Sequence, residues 1–288
     1  MRRTLRSFYD DQMTQHAAAL TYYSLMSLFP AVLLALSLLG LIGQYPDTYN
    51  ALIDYLRPRV PEAALEPLDH SLRNALQHTG TATTTLVISV VTALYGTTGA
   101  LEAARRALNV VFDVERGRSF LHRKAIDIVS TFVLMGLVLT CLIMVFVGGS
   151  FAQDLLGYAG LGPDVARVWS IVRWPGAVLV AMLVFALIYH VTPDVRRDRF
   201  RWVTPGAALG VSLWLLASYG FSSYVSHYAR VSAVYGAFSG AILLLAWLWL
   251  TSCALLLGAE LDAEIEHHHE RERRDRVATA RALDLPRR

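Results

Sequence analysis

VSAVYGAFSGAILLLAWLWLTSCALLLGA, residues Val231 to Ala259, runs for 29 positions without an Asp, Glu, Lys or Arg. As a helix rising 1.5 Å per residue it would measure about 43 Å, more than the roughly 30 Å of hydrocarbon in a bilayer. Five further windows of 20 residues or more share this freedom from charge: Gln12 to Pro46, Asn74 to Leu101, Ile128 to Gln153, Trp174 to Pro193 and Trp202 to Ala229. The whole chain is 55% hydrophobic and 17% charged, whereas a soluble domain carries about 25% charged residues. Lipid is therefore the expected solvent for most of it.

Each window can hold one crossing, which predicts an all-α membrane protein, a bundle of six transmembrane helices. The spans fall near 18–43, 80–101, 126–149, 172–192, 204–227 and 236–258. Together they make a domain over 1–262, followed by a charged tail over 263–288. Segment 44–79 carries Pro46, Pro58, Pro61 and Pro67 and reads as a small helical extracytoplasmic cap, with too few apolar residues for its own core. Leu5, Phe8, Tyr9 and Met13 recur at helical spacing, as in a short interfacial N-terminal helix. The apolar run behind them is too long for a cleaved signal, whose core is about 7 to 15 residues.

Lys and Arg fix the orientation, because basic loops are retained in the cytoplasm. With both termini inside, 20 basic residues fall on the cytoplasmic side, counting Arg105 to Lys124 as a loop, and 6 on the other. The expected location is the bacterial inner membrane. Asp127 and Glu260 fall at cytoplasmic boundaries, close enough to an interface to reach water.

Catalytic patterns are scarce. The chain has no GxSxG, no Walker-type phosphate loop and no HExxH. His267, His268 and His269 are consecutive, so on a helix their rings diverge by about 100° and do not converge on a metal. Cys141 and Cys253 lie in apolar runs and read as packing residues. No enzyme activity, metal, cofactor or nucleic-acid partner is expected.

Small and polar residues on helix faces are more informative. Thr85, Ser89, Thr92, Gly96 and Gly99 form one stripe down the second span, suited either to close helix contact or to lining a hydrated path. Gly206 with Gly210 and Gly236 with Gly240 are GxxxG pairs, expected at helix contacts. Pro30 falls inside the first span and frees a backbone carbonyl, whereas Pro175 and Pro205 are expected at the starts of spans four and five. Ser27, Pro30, Thr85, Ser89, Thr92, Tyr219 and Glu260 are the candidates to line a pathway. The polar outer half of span five, from Tyr219 to Tyr228, is expected to face the bundle interior.

With SLFP at Ser27 to Pro30 and LLGAEL at Leu256 to Leu261, the chain also resembles the YihY/BrkB-like family of bacterial inner-membrane proteins, part of which carries a ribonuclease BN-type label. The matching stretches are AAALTYYSLMSLFPAVLLALSLLG (Ala17 to Gly40), Leu108 to Val114, Tyr189 to Pro193 with Pro205 to Ala207, and Tyr235-Gly236 through Trp247 to the LLGAEL segment ending at Leu261. The resemblance implies a six-helix fold and transport or translocation across the inner membrane, with no catalytic residues to carry over.

Three functions compete on this reading. A transporter or translocator of a small solute or lipid follows from the stripe, Pro30 and the missing nucleotide site. A non-catalytic membrane scaffold or envelope-assembly factor would use the GxxxG faces and the tail, with a second copy of the chain among its candidate partners. A ribonuclease would need metal-held water or a positioned base, and neither constellation is present in the cytoplasmic loops.

Overall fold

The computed structural model describes residues 2–42, 53–54, 99–114, 120–146, 163–194, 204–228 and 238–283. Seven helices account for nearly all of them: α1 (Arg2–Asp10), α2 (Met13–Ile42), α3 (99–111), α4 (Phe120–Phe146), α5 (Pro163–Val191), α6 (Pro205–Tyr228) and α7 (Phe238–Leu283). No strand occurs among the described residues. Most of the second predicted span and the cap segment lie outside them.

Three stretches are long and apolar enough to cross a bilayer, namely Arg167–Val191, Pro205–Val225 and Gly240–His268, and Ile126–Cys141 is a shorter apolar helix. The chain divides into two compact units. One comprises residues 1–18, 104–222 and 250–288, the other 19–103 and 223–249.

One sequence expectation needs adjusting, that for Pro175. Helices extend beyond the charge-free windows, because charged residues at either end keep the hydrogen-bonded ladder going once it has left the apolar layer. Pro175 therefore lies inside α5, which begins at Pro163 with Asp164 in its first turn, and not at a helix start. Pro205 does open α6, and the Thr204 hydroxyl accepts a hydrogen bond from the Ala207 N–H at 3.0 Å, the geometry of an N-cap. α7 runs unbroken through position 262, so the tail begins as a continuation of the last apolar helix.

In the first unit, α4 and α5 pack side by side. The Cys141 thiol lies 3.6 Å from the Ala177 carbonyl and Arg173 donates to the Val145 carbonyl at 3.3 Å, so the two helices run antiparallel. Gly176 brings α5 close to the Met144 side chain. Arg173 thus serves the last turn of α4, where carbonyls lack intrahelical partners and a cation is favoured. In the second unit Tyr22 and Tyr23 stack edge to face at 5.3 Å. A Cβ on Gly99 would sit 2.9 Å from the Tyr23 ring, so only glycine admits that ring.

Exposure along α4 is the reverse of a water-soluble helix. Asp127, Ser130 and Thr131 are buried, while Ile128, Val129, Phe132, Val133, Val138 and Leu139 are exposed. α5 likewise exposes Val168, Ile171, Val172, Trp174 and Leu179. Apolar surface of that extent fits an acyl-chain environment and would be a liability in water.

Candidate functional site

The polar residues of the first unit gather at one end of the α4/α5 pair. Arg105, Asn109 and Asp113 are spaced four residues apart along and just beyond α3, so the first two share a helix face. Arg105 is only 4% exposed, and its guanidinium pairs with the Asp127 carboxylate at the start of the apolar part of α4. Its Nε donates to the Thr192 carbonyl at 3.1 Å and lies 3.7 Å from Asp194 Oδ1. Asn109 completes the clamp: its amide nitrogen reaches Asp194 Oδ2 at 3.2 Å and its oxygen accepts the Asp194 N–H at 2.9 Å.

This arrangement corrects the expectation for Arg105 and Asp127. Neither is a solvated boundary charge; together with Asp194 they form a buried ion network tying α3 and α4 to the chain leaving α5. The physical reason is visible on α3, where Ala104, Ala107, Leu108 and Val111 are buried and carry Arg105 inward with them. A guanidinium there satisfies the orphan carbonyls at a helix C-terminus and complements its dipole. The sequence signal was Arg105 beside an apolar helical stripe and Asp127 at the head of an apolar run.

Beside this network α5, α6 and α7 approach unusually closely. Gly206 and Gly258 face each other, and a Cβ on Gly258 would lie 2.5 Å from the Gly206 carbonyl and 2.5 Å from the Tyr189 hydroxyl. A Cβ on Gly210 would lie 2.9 Å from the Phe185 ring. The buried Tyr189 hydroxyl donates to the Leu255 carbonyl at 2.6 Å, and the Gly206 N–H donates to Asp262 Oδ1 at 2.7 Å. Gly258, read from sequence only as part of the LLGAEL resemblance, is thus the partner of the Gly206–Gly210 pair.

Glu260 follows two residues later. Leu256, Ala259 and Ala263 are all buried on the same face of α7, and this helical phase leaves Glu260 only 3% exposed, not at a water-accessible boundary. Its Oε1 is buried without a hydrogen-bond partner. The charges of Asp11, Asp113 and Glu264 act on it. Around it Arg3 pairs with Glu264 at 3.6 Å and His267 approaches Asp113 at 3.8 Å. Asp113 (φ 48°) and Gln12 (φ 53°) hold left-handed backbone conformations, which turn the chain at the end of α3 and between α1 and α2. Asp11 is pushed above its usual pKa, first by burial and then by the charges of Asp113 and Asp10.

The other candidates from sequence are scattered. The Ser27 hydroxyl donates to the Ser24 carbonyl at 2.8 Å, so its own helix satisfies it. Tyr219 is 79% exposed and Ser222, Ser223 and Tyr224 are exposed too, so this stretch does not face a packed interior. An aromatic hydroxyl suits a lipid–water interface, where the ring is apolar and the tip wet. A Cβ on Gly240 would meet nothing within 4 Å. Pro30 lies within α2, which continues on both sides of it. Thr85, Ser89, Thr92, Gly96 and Gly236 lie outside the described residues. Among the described residues no three His, Cys, Asp or Glu side chains converge as a metal-binding set.

Apolar residues turned outward and ionised groups clamped inward define a helical membrane protein. The chain belongs to the BrkB family: the family model described as "Virulence factor BrkB" matches residues 4–282. It is 30% identical over 250 residues to the ribonuclease-like protein YfkH of Bacillus subtilis, covering 86% of this chain and 88% of YfkH. It is 28% identical over 261 residues to a UPF0761 membrane protein of Xanthomonas campestris pv. campestris, covering 90% of this chain and 59% of that protein. A UPF0761 membrane protein of Xanthomonas oryzae pv. oryzae is 27% identical over the same length. The chain thus spans about three-fifths of the length of these Xanthomonas relatives. No solved structure matches it. The resemblance first read from the SLFP and LLGAEL segments extends over nearly the whole chain.

Proposed function

We propose that this protein is a translocator of a small solute or lipid, crossing the bacterial inner membrane six times with both termini in the cytoplasm. The observation that carries the reading is Glu260, a carboxylate buried on an apolar helix with one oxygen unpartnered. Ionisable groups held inside a membrane protein are costly and are kept where substrate or ions are handled. The Arg105 network supports it, since buried ion pairs joining α3, α4 and the chain leaving α5 can anchor those elements around a moving one.

The test is flux. Purified protein reconstituted in vesicles is assayed for lipid scrambling with a fluorescent phospholipid and for osmolyte entry by vesicle swelling. Native protein should accelerate one of the two, and Glu260→Ala should reduce that rate while remaining folded. No acceleration of either, in vesicles shown to contain folded protein, sinks the reading.

A second reading rests on α7. Its 46 residues give a helix of about 69 Å, more than twice the hydrocarbon thickness, so its charged half projects into water. A scaffold or envelope-assembly factor would use that projection to hold a partner. Truncation after Glu266 that abolishes partner capture and leaves flux intact would assign the tail to this second role. The ribonuclease-like description belongs to YfkH, and we propose no enzymatic activity for this chain.

A further inference from the structure

Glu260 has an unusual set of neighbours. Its Oε1 is buried and accepts no hydrogen bond, and the groups acting on it from other elements are themselves acids: Asp11 from the α1–α2 turn and Asp113 from the end of α3, with Glu264 one turn along α7. Of the basic residues described there, Arg3 pairs with Glu264, His267 lies 3.8 Å from Asp113, and His16 acts on Asp11. Asp262 is held by the Gly206 N–H on the far side of the helix crossing.

A bare carboxylate oxygen in that setting combines two unfavourable terms, lost hydration and repulsion between like charges. Something positive must relieve both. A multivalent metal is disfavoured by geometry, since among the described residues no three acidic, histidine or cysteine side chains converge to hold one. A proton needs no coordination shell. Bound to the carboxylate it removes one negative charge and relieves the buried oxygen of its lost hydration.

We infer that Glu260, buried with an unpartnered oxygen, is a reversible proton-binding site that exchanges one proton with water. The inference deepens the translocator reading by naming the coupling ion, and it rests on that reading for the use made of the proton. Protonation here is a plain acid–base step, carboxylate plus proton giving the neutral acid, with no redox partner.

The test is a pH titration of the full chain in phosphatidylethanolamine–phosphatidylglycerol vesicles, followed by infrared difference spectroscopy in the carbonyl-stretch region of protonated carboxyls. Native protein should show a carboxyl band that persists to higher pH than the bulk of the Asp and Glu signal. Glu260→Gln should remove that band. Asp113→Asn keeps Glu260 and takes away one like charge, so the band should remain and disappear at a lower pH than in the native protein. This second variant decides the matter if Glu260→Gln fails to fold. A native band unaltered by both substitutions, or no such band, overturns the proposal. Absence of flux with the band intact would remove the translocator reading and leave the proton site, whereas flux without the band would do the opposite.

Discussion

The outward and inward faces of the first unit's helices are built by opposite rules. Ile128, Val129, Phe132 and Val133 on α4 and Val168, Ile171 and Val172 on α5 point outward, as suits an acyl-chain environment. The interior holds Arg105, Asp127 and Asp194, which pair with one another, and Glu260 on α7, whose Oε1 has no hydrogen-bond partner. Between helices in a bilayer there is no hydrophobic drive, because acyl chains are as apolar as leucine. Association then depends on close approach and on polar contacts. This molecule places both inward, in the glycine crossing and the ion network, and turns apolar side chains outward.

Arg105→Ala tests that division most severely. It strands Asp127 and Asp194 as buried charges and should lower stability by about 3–5 kcal/mol, read as the unfolding midpoint in detergent. Replacing Arg105 and Asp127 together by apolar residues of similar size should recover part of the loss, since the uncompensated charge causes most of it. If the single variant behaves like the native protein, the network is not what holds this interior together.

Gly258→Ala comes next. Its Cβ must displace the Gly206 backbone or the Tyr189 hydroxyl, at a cost of about 1–3 kcal/mol. Gly136→Ala, on α4 with open space around it, should be neutral or gain up to about 1 kcal/mol from helix propensity. Equal effects of the two would show that close approach at Gly258 is not required. Tyr189→Phe removes one hydrogen bond to the Leu255 carbonyl and should cost about 1 kcal/mol by the same measurement.

The smallest effect is the pH dependence at Asp11. Burial, then Asp113 and Asp10, raise its pKa, so the folded state holds that proton more tightly than the unfolded chain does. The stability this provides is present in acid and is lost as pH rises through the raised value. Asp11→Asn cannot ionise, so its stability relative to the native protein should climb from acid toward neutral pH. A difference constant with pH would remove Asp11 from the coupled cluster.

Much of this organisation was legible before any coordinates. Charge-free runs as long as a bilayer is thick mark helices, and the helical registers of α5, α6 and α7 cover most of the predicted stretches. Gly206 and Gly210, a GxxxG pair in sequence, lie at a close approach on α6, while Gly258 opposite Gly206 has no spacing pattern of its own. Glu260 was visible as an acid at the foot of an apolar run, and its phase with Leu256 and Ala263 would have shown it to be buried. Arg105 was misread because counting basic residues treats every arginine as solvated. Tyr219 stands exposed on α6, a burial that the polarity of its stretch alone does not determine.

The sequence alone determined that the chain belongs in lipid, because the transfer energy of an apolar run depends only on its length and composition. Which ionised groups find one another depends on residues 22 to 89 positions apart meeting in space, as Arg105 meets Asp127 and Asp194. Such pairing follows from helix packing, whose closest approach is set by single glycines on different helices. Only the tertiary structure could decide that Glu260 is left among acids with one oxygen unpaired.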